Sequence, residues 1–356
     1  MPDCIPSARL NALTLGRNIP VSVTVELTRR CPLTCLHCYL PETRGRASAG
    51  RELDTAQWTA ILRQLARAGA LYLVFTGGEP LLRPDLPELC AIAKKLCFDV
   101  RVFSTGLGMT AGLAARLCNA GVSAFEISFY GRPAIHDKIT GRKGSFCGSL
   151  EAARALKKAG IKVKVKTPLM KNNAAQAPWL VKLAKKEGLG IGFDPVIAPA
   201  NDGGNSALAL RLSGPRLAKY VKFVSGSTPP SPALSSAVAS PPSFDFLCGA
   251  GRNVCAVSPD GGLYPCLQFP KQLGNLTEKN FREIWKNHRW LKKWRSYGLK
   301  DLPGCAGCDK LEFCSRCPGV SLLEEGDCLA PNRAACEMAE IQGKLAVTKV
   351  KRTPLD

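Results

Sequence analysis

Six apolar stretches alternate with amphipathic segments along the first two thirds of this 356-residue chain. The apolar stretches predict strands at 19–27, 71–75, Phe98–Ser104, Ser123–Phe129, Lys162–Pro168 and Gly190–Ile197. The segments that follow them predict helices at Thr55–Ala68, Leu86–Leu96, Ala111–Ala120, Phe146–Ala159, Ala177–Glu187 and Gly214–Val224. Strands that alternate with helices form parallel sheets. The pattern therefore predicts an α/β fold, and it leaves open whether the sheet curls into a barrel or stays an open, doubly wound sheet.

Three cysteines with the spacing C-x3-C-x2-C follow the first predicted strand. They are Cys31, Cys35 and Cys38. Three thiolates can bind an iron–sulfur cluster through three of its four irons, whereas a closed electron-transfer cluster takes four Cys ligands. The spacing therefore indicates a cluster whose fourth iron is open to a small molecule.

A glycine-rich turn, Thr76-Gly77-Gly78-Glu79-Pro80, follows the second predicted strand. Glycines let a backbone approach a ligand closely, and the Glu79 carboxylate can pair with an ammonium group. Together with the cysteine triplet, this turn resembles the radical S-adenosylmethionine (SAM) superfamily, whose "GGEP" segment holds the amino group of SAM. In that family an aromatic residue commonly precedes the third cysteine, a position that His37 fills.

The resemblance implies a partial (β/α)6 TIM-like barrel over residues 19–224, after an N-terminal lead-in at 1–18. It implies that the three-cysteine cluster cleaves SAM reductively to a 5′-deoxyadenosyl radical, which then abstracts hydrogen from the substrate. Barrel chemistry gathers at the C-terminal ends of strands. The SAM-binding residues that the resemblance implies are Gly77, Gly78, Glu79, Pro80, Thr105, Ser128 and Arg154. Arg154 is a candidate clamp for the SAM carboxylate, with a plain surface charge as the alternative.

Two further strand-end segments carry polar residues. Asp194 ends the sixth strand and is a candidate proton acceptor or substrate contact. His136 and Asp137 precede Gly144-Ser145-Phe146 in a segment that resembles the family's "hD…G-x-F" pattern. Both segments therefore extend the predicted site around the same edge of the sheet.

The last third of the chain is dense in cysteine. Residues 225–243 are rich in Ser and Pro, which is typical of a linker. Residues 244–340 form the predicted second domain, with a hairpin at Ala256–Cys266 around a Pro-Asp-Gly-Gly turn, and 341–356 form a basic tail. Taken alone, the C-x2-C pairs of this domain are typical of zinc ribbons.

Joined to a radical SAM barrel, the same segment resembles the SPASM domain, which houses two auxiliary 4Fe–4S clusters. The resemblance implies one cluster on Cys248, Cys255, Cys266 and Cys317. It implies the other on Cys305, Cys308, Cys314 and Cys336, with Cys328 as the alternative last ligand. The spacing from Cys314 to Cys317 is x2, where the family usually has x3. Whether an auxiliary cluster keeps an open iron is left undecided.

The composition of the chain limits the cellular compartment and the class of binding partner that can be expected. The 17 cysteines, the lack of an apolar run long enough for a bilayer, and a Met1–Asn18 segment without a signal-peptide core predict a reducing cytoplasm. The net charge of +21 invites a nucleic-acid partner. Aromatic residues make up 7% and are not interleaved with the basic runs. An acidic peptide is therefore the favoured partner.

The resemblance implies an enzyme of the SPASM peptide-maturase branch, which includes the pyrroloquinoline quinone peptide cross-linking enzyme. The expected reaction is an oxidative modification of a peptide or protein, such as a cross-link or thioether. The expected partners are the substrate, an electron donor such as flavodoxin or ferredoxin, and a separate leader-peptide chaperone. Two alternatives stay open: a non-peptide substrate such as a tetrapyrrole side chain, and a non-catalytic zinc or nucleic-acid binding protein.

Overall fold

The computed structural model describes residues 6–40, 52–227 and 248–350. Its strands are β1 (Ser22–Thr28), β2 (Tyr72–Gly77), β3 (Asp99–Ser104), β4 (Val122–Ser128), β5 (Lys162–Pro168), β6 (Gly190–Asp194), β7 (Val254–Val257), β8 (Gly262–Tyr264) and β9 (Gly274–Asn275). Its α-helices are α1 (Pro6–Arg17), α2 (Thr55–Arg67), α3 (Leu86–Lys95), α4 (Ala111–Asn119), α5 (Pro133–Thr140), α6 (Ser145–Lys158), α7 (Ala177–Glu187), α8 (Gly214–Ser227), α9 (Phe281–Asn287), α10 (Arg289–Ser296), α11 (Pro318–Glu325) and α12 (Arg333–Val350).

All nine strands form one sheet in the order β6-β5-β4-β3-β2-β1-β7-β8-β9. The strands β1 to β6 are parallel to their neighbours. β7 continues this parallel run beside β1, and β8 and β9 are antiparallel. The α/β fold class with a partial barrel is confirmed. Because the strands run in parallel, the loops that leave β1 to β6 gather at a single edge of the sheet.

The two faces of the sheet differ in chemistry because strand side chains alternate between faces. One face supplies the core: Val25 of β1, Phe75 of β2, Val102 of β3 and Ile127 of β4 are fully buried in one apolar cluster with the helices. The opposite face is polar. Its side chains include Glu26, Thr76, Arg101, Glu126, Ser128, Lys164, Lys166 and Asp194. A polar face at the mouth of a partial barrel leaves room for a polar ligand.

Most element boundaries follow local signals. Asp54 begins α2 with a capping box, in which its side chain accepts from Gln57 N–H at 2.8 Å and Gln57 Oε1 accepts from Asp54 N–H at 3.0 Å. β6 ends at Asp194, before the predicted Ile197, because Pro195 offers no N–H to the ladder. Two helices, α1 and α5, lie where the sequence pattern predicted a lead-in and a loop.

The cysteine-rich segment shares the core of the barrel. The predicted hairpin is confirmed, since β7 and β8 pair antiparallel with Val257 opposite Leu263. Trp285 of α9 donates from Nε1 to Asn18 O at 2.7 Å, and Trp285 packs in the same apolar cluster as β1. The predicted linker lies outside the described residues from 228 to 243, and its first residues end α8. No helix within the described ranges is long and apolar enough to cross a membrane.

Candidate functional site

The three-cysteine loop, residues 31–38, leaves the C-terminal end of β1. Cys31, Cys35 and Cys38 are each half-buried. The Cys38 N–H donates to Cys35 O at 3.2 Å, so these two cysteines share a tight turn. Iron–sulfur clusters are held by cysteine thiolates. A donor set of three thiols at a partly open sheet edge therefore fits a cluster that a small molecule can reach.

The glycine-rich turn after β2 is bound to the start of this loop. Gly78 N–H donates to Thr28 O at 2.7 Å, and Glu79 N–H donates to Arg30 O at 2.8 Å. A Cβ at Gly77 would lie 2.2 Å from Thr28 O, and one at Gly78 would lie 2.2 Å from Arg30 O. The sequence predicted close approach to a ligand as the reason for these glycines. In the structure the close approach is to the backbone that enters the three-cysteine loop.

The other side of the loop rests on the end of α5. Thr34 N–H donates to Thr140 O at 3.0 Å, and Leu36 N–H donates to Ile139 O at 3.1 Å. Gly141 ends the helix with φ of +71°, a left-handed conformation that glycine adopts readily. The loop is therefore clamped between the β2 turn and a helix that sequence periodicity did not reveal.

Glu79 is fully buried and joins the loops that follow β2 and β3. Its carboxylate accepts from Leu81 N–H at 3.0 Å, from the Ser104 hydroxyl at 2.7 Å, and from both the N–H (2.7 Å) and the hydroxyl of Thr105. Burial raises the pKa of Glu79, and the hydrogen bonds from Thr105, Leu81 and Ser104 oppose that rise. The structure thus brings the predicted Glu79 and Thr105 together, with Pro80 starting the short 3-10 helix between β2 and α3.

Tyr130 connects the end of β4 to the three-cysteine loop. The ring of His37 meets the ring of Tyr130 edge-on, with centroids 4.8 Å apart. Burial raises the pKa of Tyr130 well above its usual value, and the neighbouring Cys35 thiol adds to the rise while a hydrogen bond with Ser128 opposes it. The predicted Ser128 therefore lies in the same contact network as Cys35.

His136 of α5 lies directly behind Tyr130. It is buried, and its Nδ1 accepts from Tyr130 N–H at 3.4 Å. The rings of Phe129 and Phe146 lie 5.7 Å from it between centroids. Burial lowers the pKa of His136 to about 4, against the opposing charge of Asp137. A neutral histidine therefore packs beneath the tyrosine that supports the loop.

Asp137, the acid of the "hD…G-x-F" segment, binds the start of α6. Its carboxylate accepts from Gly144 N–H at 2.6 Å, Phe146 N–H at 2.9 Å and the Ser145 hydroxyl at 2.9 Å. Burial raises the pKa of Asp137, but the hydrogen bonds from Phe146, Gly144 and Ser145 outweigh it and the net shift is downward. This segment of the predicted motif therefore fixes the junction of two helices.

A buried acid–tyrosine pair inside β1 escaped the sequence analysis. Tyr39 directly follows Cys38 in the sequence, and its hydroxyl donates to Oε1 of Glu26 in β1 at 2.7 Å. Burial raises the pKa of Glu26, opposed by the Tyr39 hydrogen bond and the charge of Arg29. The signal was present, because Glu26 is the only charged residue within β1. Its pairing with Tyr39 places it among the groups nearest to the three-cysteine loop.

The structure does not bring Arg154 into the site. Its guanidinium forms a bidentate pair with Glu187, with Nη2 and Nε at 2.7 Å and 2.9 Å from the two carboxylate oxygens. Arg154 lies in the last turns of α6, which lead away from the C-terminal edge of the strands. In place of the predicted contact with a SAM carboxylate, it joins α6 to the end of α7. The alternative interpretation as a surface charge describes its environment better.

Asp194 lies at the C-terminal end of β6, as predicted. Its Oδ1 accepts from Val196 N–H at 3.0 Å, and Oδ2 lies 3.9 Å from Lys166 Nζ. Its side chain is 46% exposed. It stays on the polar face of the sheet as a candidate substrate contact.

Four C-terminal cysteines converge from distant parts of the chain. This first cysteine group consists of Cys248, Cys255, Cys266 and Cys317. Burial raises the pKa of Cys248 to about 11 and that of Cys266 to about 12, and the Cys317 thiol adds to both. Burial also raises the pKa of Cys255, which lies fully buried in β7 and is influenced by Cys266. These electrostatic influences link the four thiols into one group.

The second cysteine group consists of Cys305, Cys308, Cys314 and Cys336. Burial raises the pKa of Cys314 and of Cys336, and Cys305 and Cys308 add to both shifts. Burial also raises the pKa of Cys328, but the charge that adds to it comes from Asp327. Cys336 therefore lies within electrostatic reach of the other three thiols. Among the described residues, no three Cys, His, Asp or Glu side chains converge tightly enough to hold a single metal ion.

Comparison with known families agrees with both segments. Residues 25–183 match the profile of the radical SAM superfamily, and residues 248–318 match that of SPASM, an iron-sulfur cluster-binding domain. The chain is 29% identical to a PqqA peptide cyclase of Xanthomonas euvesicatoria pv. vesicatoria, over 92% of this chain and 91% of the relative. The resemblance inferred from the two motifs is therefore confirmed.

Solved structures share the fold at lower identity. SuiB of Streptococcus suis bound to its precursor peptide SuiA has a TM-score of 0.70 at 17% identity, and the match covers 92% of this chain and 79% of SuiB. The protein anSMEcpe with bound AdoMet and Kp18Cys peptide also has a TM-score of 0.70 at 17% identity, covering 92% of this chain and 97% of its own. These likenesses establish a common fold over nearly the whole chain.

Proposed function

We propose that this chain, which belongs to the radical SAM superfamily and carries a SPASM segment, is an enzyme that oxidatively modifies a peptide or protein through a 5′-deoxyadenosyl radical. The observation that carries the proposal is the union of three features on one sheet. The three-cysteine loop follows β1, the Gly77–Glu79 turn is hydrogen-bonded to that loop, and Cys255 of the first cysteine group lies in β7 beside β1 and is buried in the same core. Neither a zinc ribbon nor an electron-transfer module alone requires all three.

Cys31, Cys35 and Cys38 would hold the SAM-binding cluster. When bound, this cluster supplies the electron that cleaves SAM to methionine and the 5′-deoxyadenosyl radical. The turn at Gly77–Pro80, with Thr105 and Ser128, would line the SAM site beside it. Glu79 keeps this lining fixed, since its buried carboxylate ties Thr105 to the β2 turn.

Other residues of the chain would position and shield the reacting groups. Tyr130 and His37 close one side of the three-cysteine loop with aromatic rings. Glu26 and Tyr39 close the side nearest β1 with a buried hydrogen-bonded pair. Since burial raises the pKa of Glu26, this pair can hold a proton in a site from which water is largely excluded. Asp194 and Lys166 on the polar face would contact the substrate.

The first and second cysteine groups would hold two auxiliary 4Fe–4S clusters, and such clusters would supply an acceptor for the electron released when the product bond forms. Four thiols each saturate a closed electron-transfer cluster. Further proposals accompany this assignment: a domain boundary at residues 225–243, a cytoplasmic location, an external electron donor and a separate leader-peptide chaperone.

A peptide is the substrate class best supported. Relatives named PqqA peptide cyclase match this chain nearly end to end, and two proteins of the same fold have been solved with peptides bound. The net charge of +21 favours an acidic peptide segment. A porphyrin that copurifies with the protein, seen as a sharp band above the broad cluster absorption, would instead favour the tetrapyrrole alternative.

Iron and sulfide analysis of anaerobically reconstituted protein tests the proposal. We expect about twelve irons per chain, and about eight in a Cys31/Cys35/Cys38→Ala variant that no longer cleaves SAM under reducing conditions. Zinc without iron would contradict the proposal and support a metal-ribbon binding protein. Iron at the expected level, with SAM cleavage that never transfers hydrogen from any peptide, would limit the proposal to SAM cleavage.

A further inference from the structure

The outer surface of α9 and α10 is a basic patch. Its cations are exposed: Lys279, Arg282, Lys286, Arg289, Lys292 and Lys293. Two exposed acids, Glu278 and Glu283, lie among them. The patch therefore presents a net positive field to solvent, which attracts an acidic partner and weakens as salt is added.

The buried side of the same helices is bonded to the first cysteine group. Trp294 Nε1 donates to Ala250 O at 2.6 Å, and Arg295 Nε donates to Gly251 O at 2.7 Å. The Ala250 N–H in turn points to the Cys248 sulfur at 3.4 Å. One helix thus separates the patch from Cys248, a span of about 10 Å given the diameter of a helix with its side chains.

The patch rests on a rigid aromatic platform. Trp290 and Trp294 stack with centroids 5.7 Å apart, and both meet the edge of Phe269, three residues beyond Cys266. Trp285 stacks on Phe281 beneath the other end of the patch. Rings packed in this way hold the cations in a fixed arrangement above the first cysteine group. They also point inward, where they cannot stack on the bases of a nucleic acid.

We propose that the α9–α10 patch is the docking surface for an acidic one-electron carrier protein of the flavodoxin type. It rests on the proposed function, because the first cysteine group must hold a cluster. That cluster would be reduced by the one electron released when the product forms, and it would be reoxidised by passing this electron to the oxidised carrier. Charge complementarity steers such a carrier to the patch. The short path through Trp294 and Ala250 then brings its cofactor near Cys248. The patch is thus the docking surface, and Trp294 and Ala250 lie on the electron path between Cys248 and the docked carrier.

Charge reversal at two matched places tests this assignment. Arg289→Glu/Lys292→Glu/Lys293→Glu reverses the patch, and Lys182→Glu/Lys185→Glu/Lys186→Glu reverses an equal charge on the exposed side of α7. Binding of oxidised flavodoxin to each reconstituted protein is measured by calorimetry at low and moderate salt. We expect the patch variant to bind at least about tenfold more weakly and to lose its salt dependence. The α7 variant should stay within about twofold of the wild type.

Three results would overturn the proposal. Equal weakening in both variants would mean that flavodoxin responds to net charge alone. Unchanged binding in the patch variant would place the carrier elsewhere. Loss of single-stranded RNA binding in the patch variant, with flavodoxin binding intact, would assign the patch to nucleic acid. If the reversed patch does not fold, the milder Arg282→Gln/Lys286→Gln variant gives the same decision with a smaller shift in affinity.

The iron content of the wild type separates the two levels of inference. A protein with zinc and no iron would remove the proposed function and the docking assignment together. A protein with a full complement of iron whose flavodoxin binding ignores the patch would leave the proposed function standing and overturn the docking assignment.

Discussion

The three-cysteine loop and the two C-terminal cysteine groups differ in how their cysteines are distributed along the sequence. The loop carries Cys31, Cys35 and Cys38 within residues 31–38, leaves them half-buried and is supported by backbone hydrogen bonds to the turn after β2 and to α5. The first cysteine group gathers thiols from β7, from the segment after β8 and from the residue that precedes α11, and its Cys255 is completely buried. A local motif can be recognised from spacing, whereas an interleaved one depends on the fold.

Both regions nevertheless share a device. In each region, a glycine lies at the point where the backbone of one segment packs closely against the backbone of a segment near a cysteine. Gly78 lies against Arg30 O, next to Cys31, and a Cβ on Gly319 would lie 2.0 Å from Gln268 O, next to Cys266 and Cys317. Close backbone contact therefore fixes the cysteine spacing in both places, although one crossing is local and the other spans the segment.

The largest effect that we expect is on iron content, and it tests how the cysteines of the C-terminal groups are assigned. We expect Cys336→Ala to lose about four irons per chain, because Cys336 lies with Cys305 and Cys308 in the second group. The matched variant Cys328→Ala should keep its iron, since the charge acting on Cys328 comes from Asp327. Iron and sulfide assays decide. Iron loss from Cys328→Ala with none from Cys336→Ala would reverse the assignment.

Glycine substitutions sharpen the contrast next. Gly78→Ala should distort the three-cysteine loop, and Gly319→Ala should distort the first cysteine group, each lowering the free energy of unfolding by about 1–3 kcal/mol through overpacking. Gly112→Ala is the control, because nothing lies within 4 Å of the added Cβ in α4. It should be neutral or stabilise by about 0.5–1 kcal/mol.

Thermal unfolding together with cluster absorption measures these effects separately. We expect Gly78→Ala to reduce SAM cleavage while the auxiliary clusters stay, and Gly319→Ala to do the reverse. Equal damage to all clusters from either variant would mean that the two regions unfold as one unit. The local and interleaved cysteine groups would then not differ in their contribution to the free energy of unfolding.

The sequence predicted the parts of the molecule whose signals are local. The strand and helix series and the β7–β8 hairpin follow from periodicity and turn residues. Arg154 could not be placed this way, because its pairing with Glu187 depends on how α6 and α7 lie side by side. The joining of β7 to β1 was also out of reach, since it depends on a pairing between residues 22–25 and 254–257.

The site shows the same limit. The sequence motif named Gly77 and Gly78 but assigned them to a ligand, and only the packed structure shows the Thr28 and Arg30 carbonyls against them. Glu26 was visible as the only charged residue of β1, yet its partner Tyr39 lies beyond the cysteines. Contacts between loops that follow different strands carry no period in sequence, so tertiary structure is needed to reveal them.

A smaller effect is expected from pH, and it concerns the loop. Burial lowers the pKa of His136 to about 4 in the folded chain, against about 6.5 when unfolded. The unfolded chain therefore takes up the proton first, so stability is complete above pH 6.5 and falls as the pH drops towards 4. The slope should approach 1.4 kcal/mol per pH unit for this one group, roughly. Thermal unfolding of wild type and His136→Gln from pH 7 to 4.5 measures it.

His136→Gln should flatten this part of the pH profile. Because His136 packs beneath Tyr130, which contacts Cys35, the acid-induced change should appear first in the three-cysteine loop. A profile that keeps its slope in His136→Gln would assign the acid sensitivity to other groups. An earlier loss of the auxiliary clusters would place the weakest support in the C-terminal segment.

The smallest predicted effect asks whether the two C-terminal groups are independent. Arg316 lies between Cys314 and Cys317, and its guanidinium donates to Ala330 O at 2.8 Å and 3.0 Å and to Cys328 O. Its charge opposes the burial that raises the pKa of Cys317 in the first group and of Cys336 in the second. One cation therefore acts on both.

Arg316→Gln should make both auxiliary clusters harder to reduce, because a nearby positive charge favours the more negative, reduced state. We expect roughly a tenfold fall in the reduced fraction at a fixed potential, which for a one-electron couple is about 59 mV. Redox titration followed by electron paramagnetic resonance measures each cluster. Arg316→Lys should restore most of the shift, and the cluster on the three-cysteine loop should not move. A shift in the reduction potential of only one auxiliary cluster would contradict this prediction. Arg316 would then act on one cysteine group alone, and the two groups would be electrostatically independent despite their interleaved cysteines.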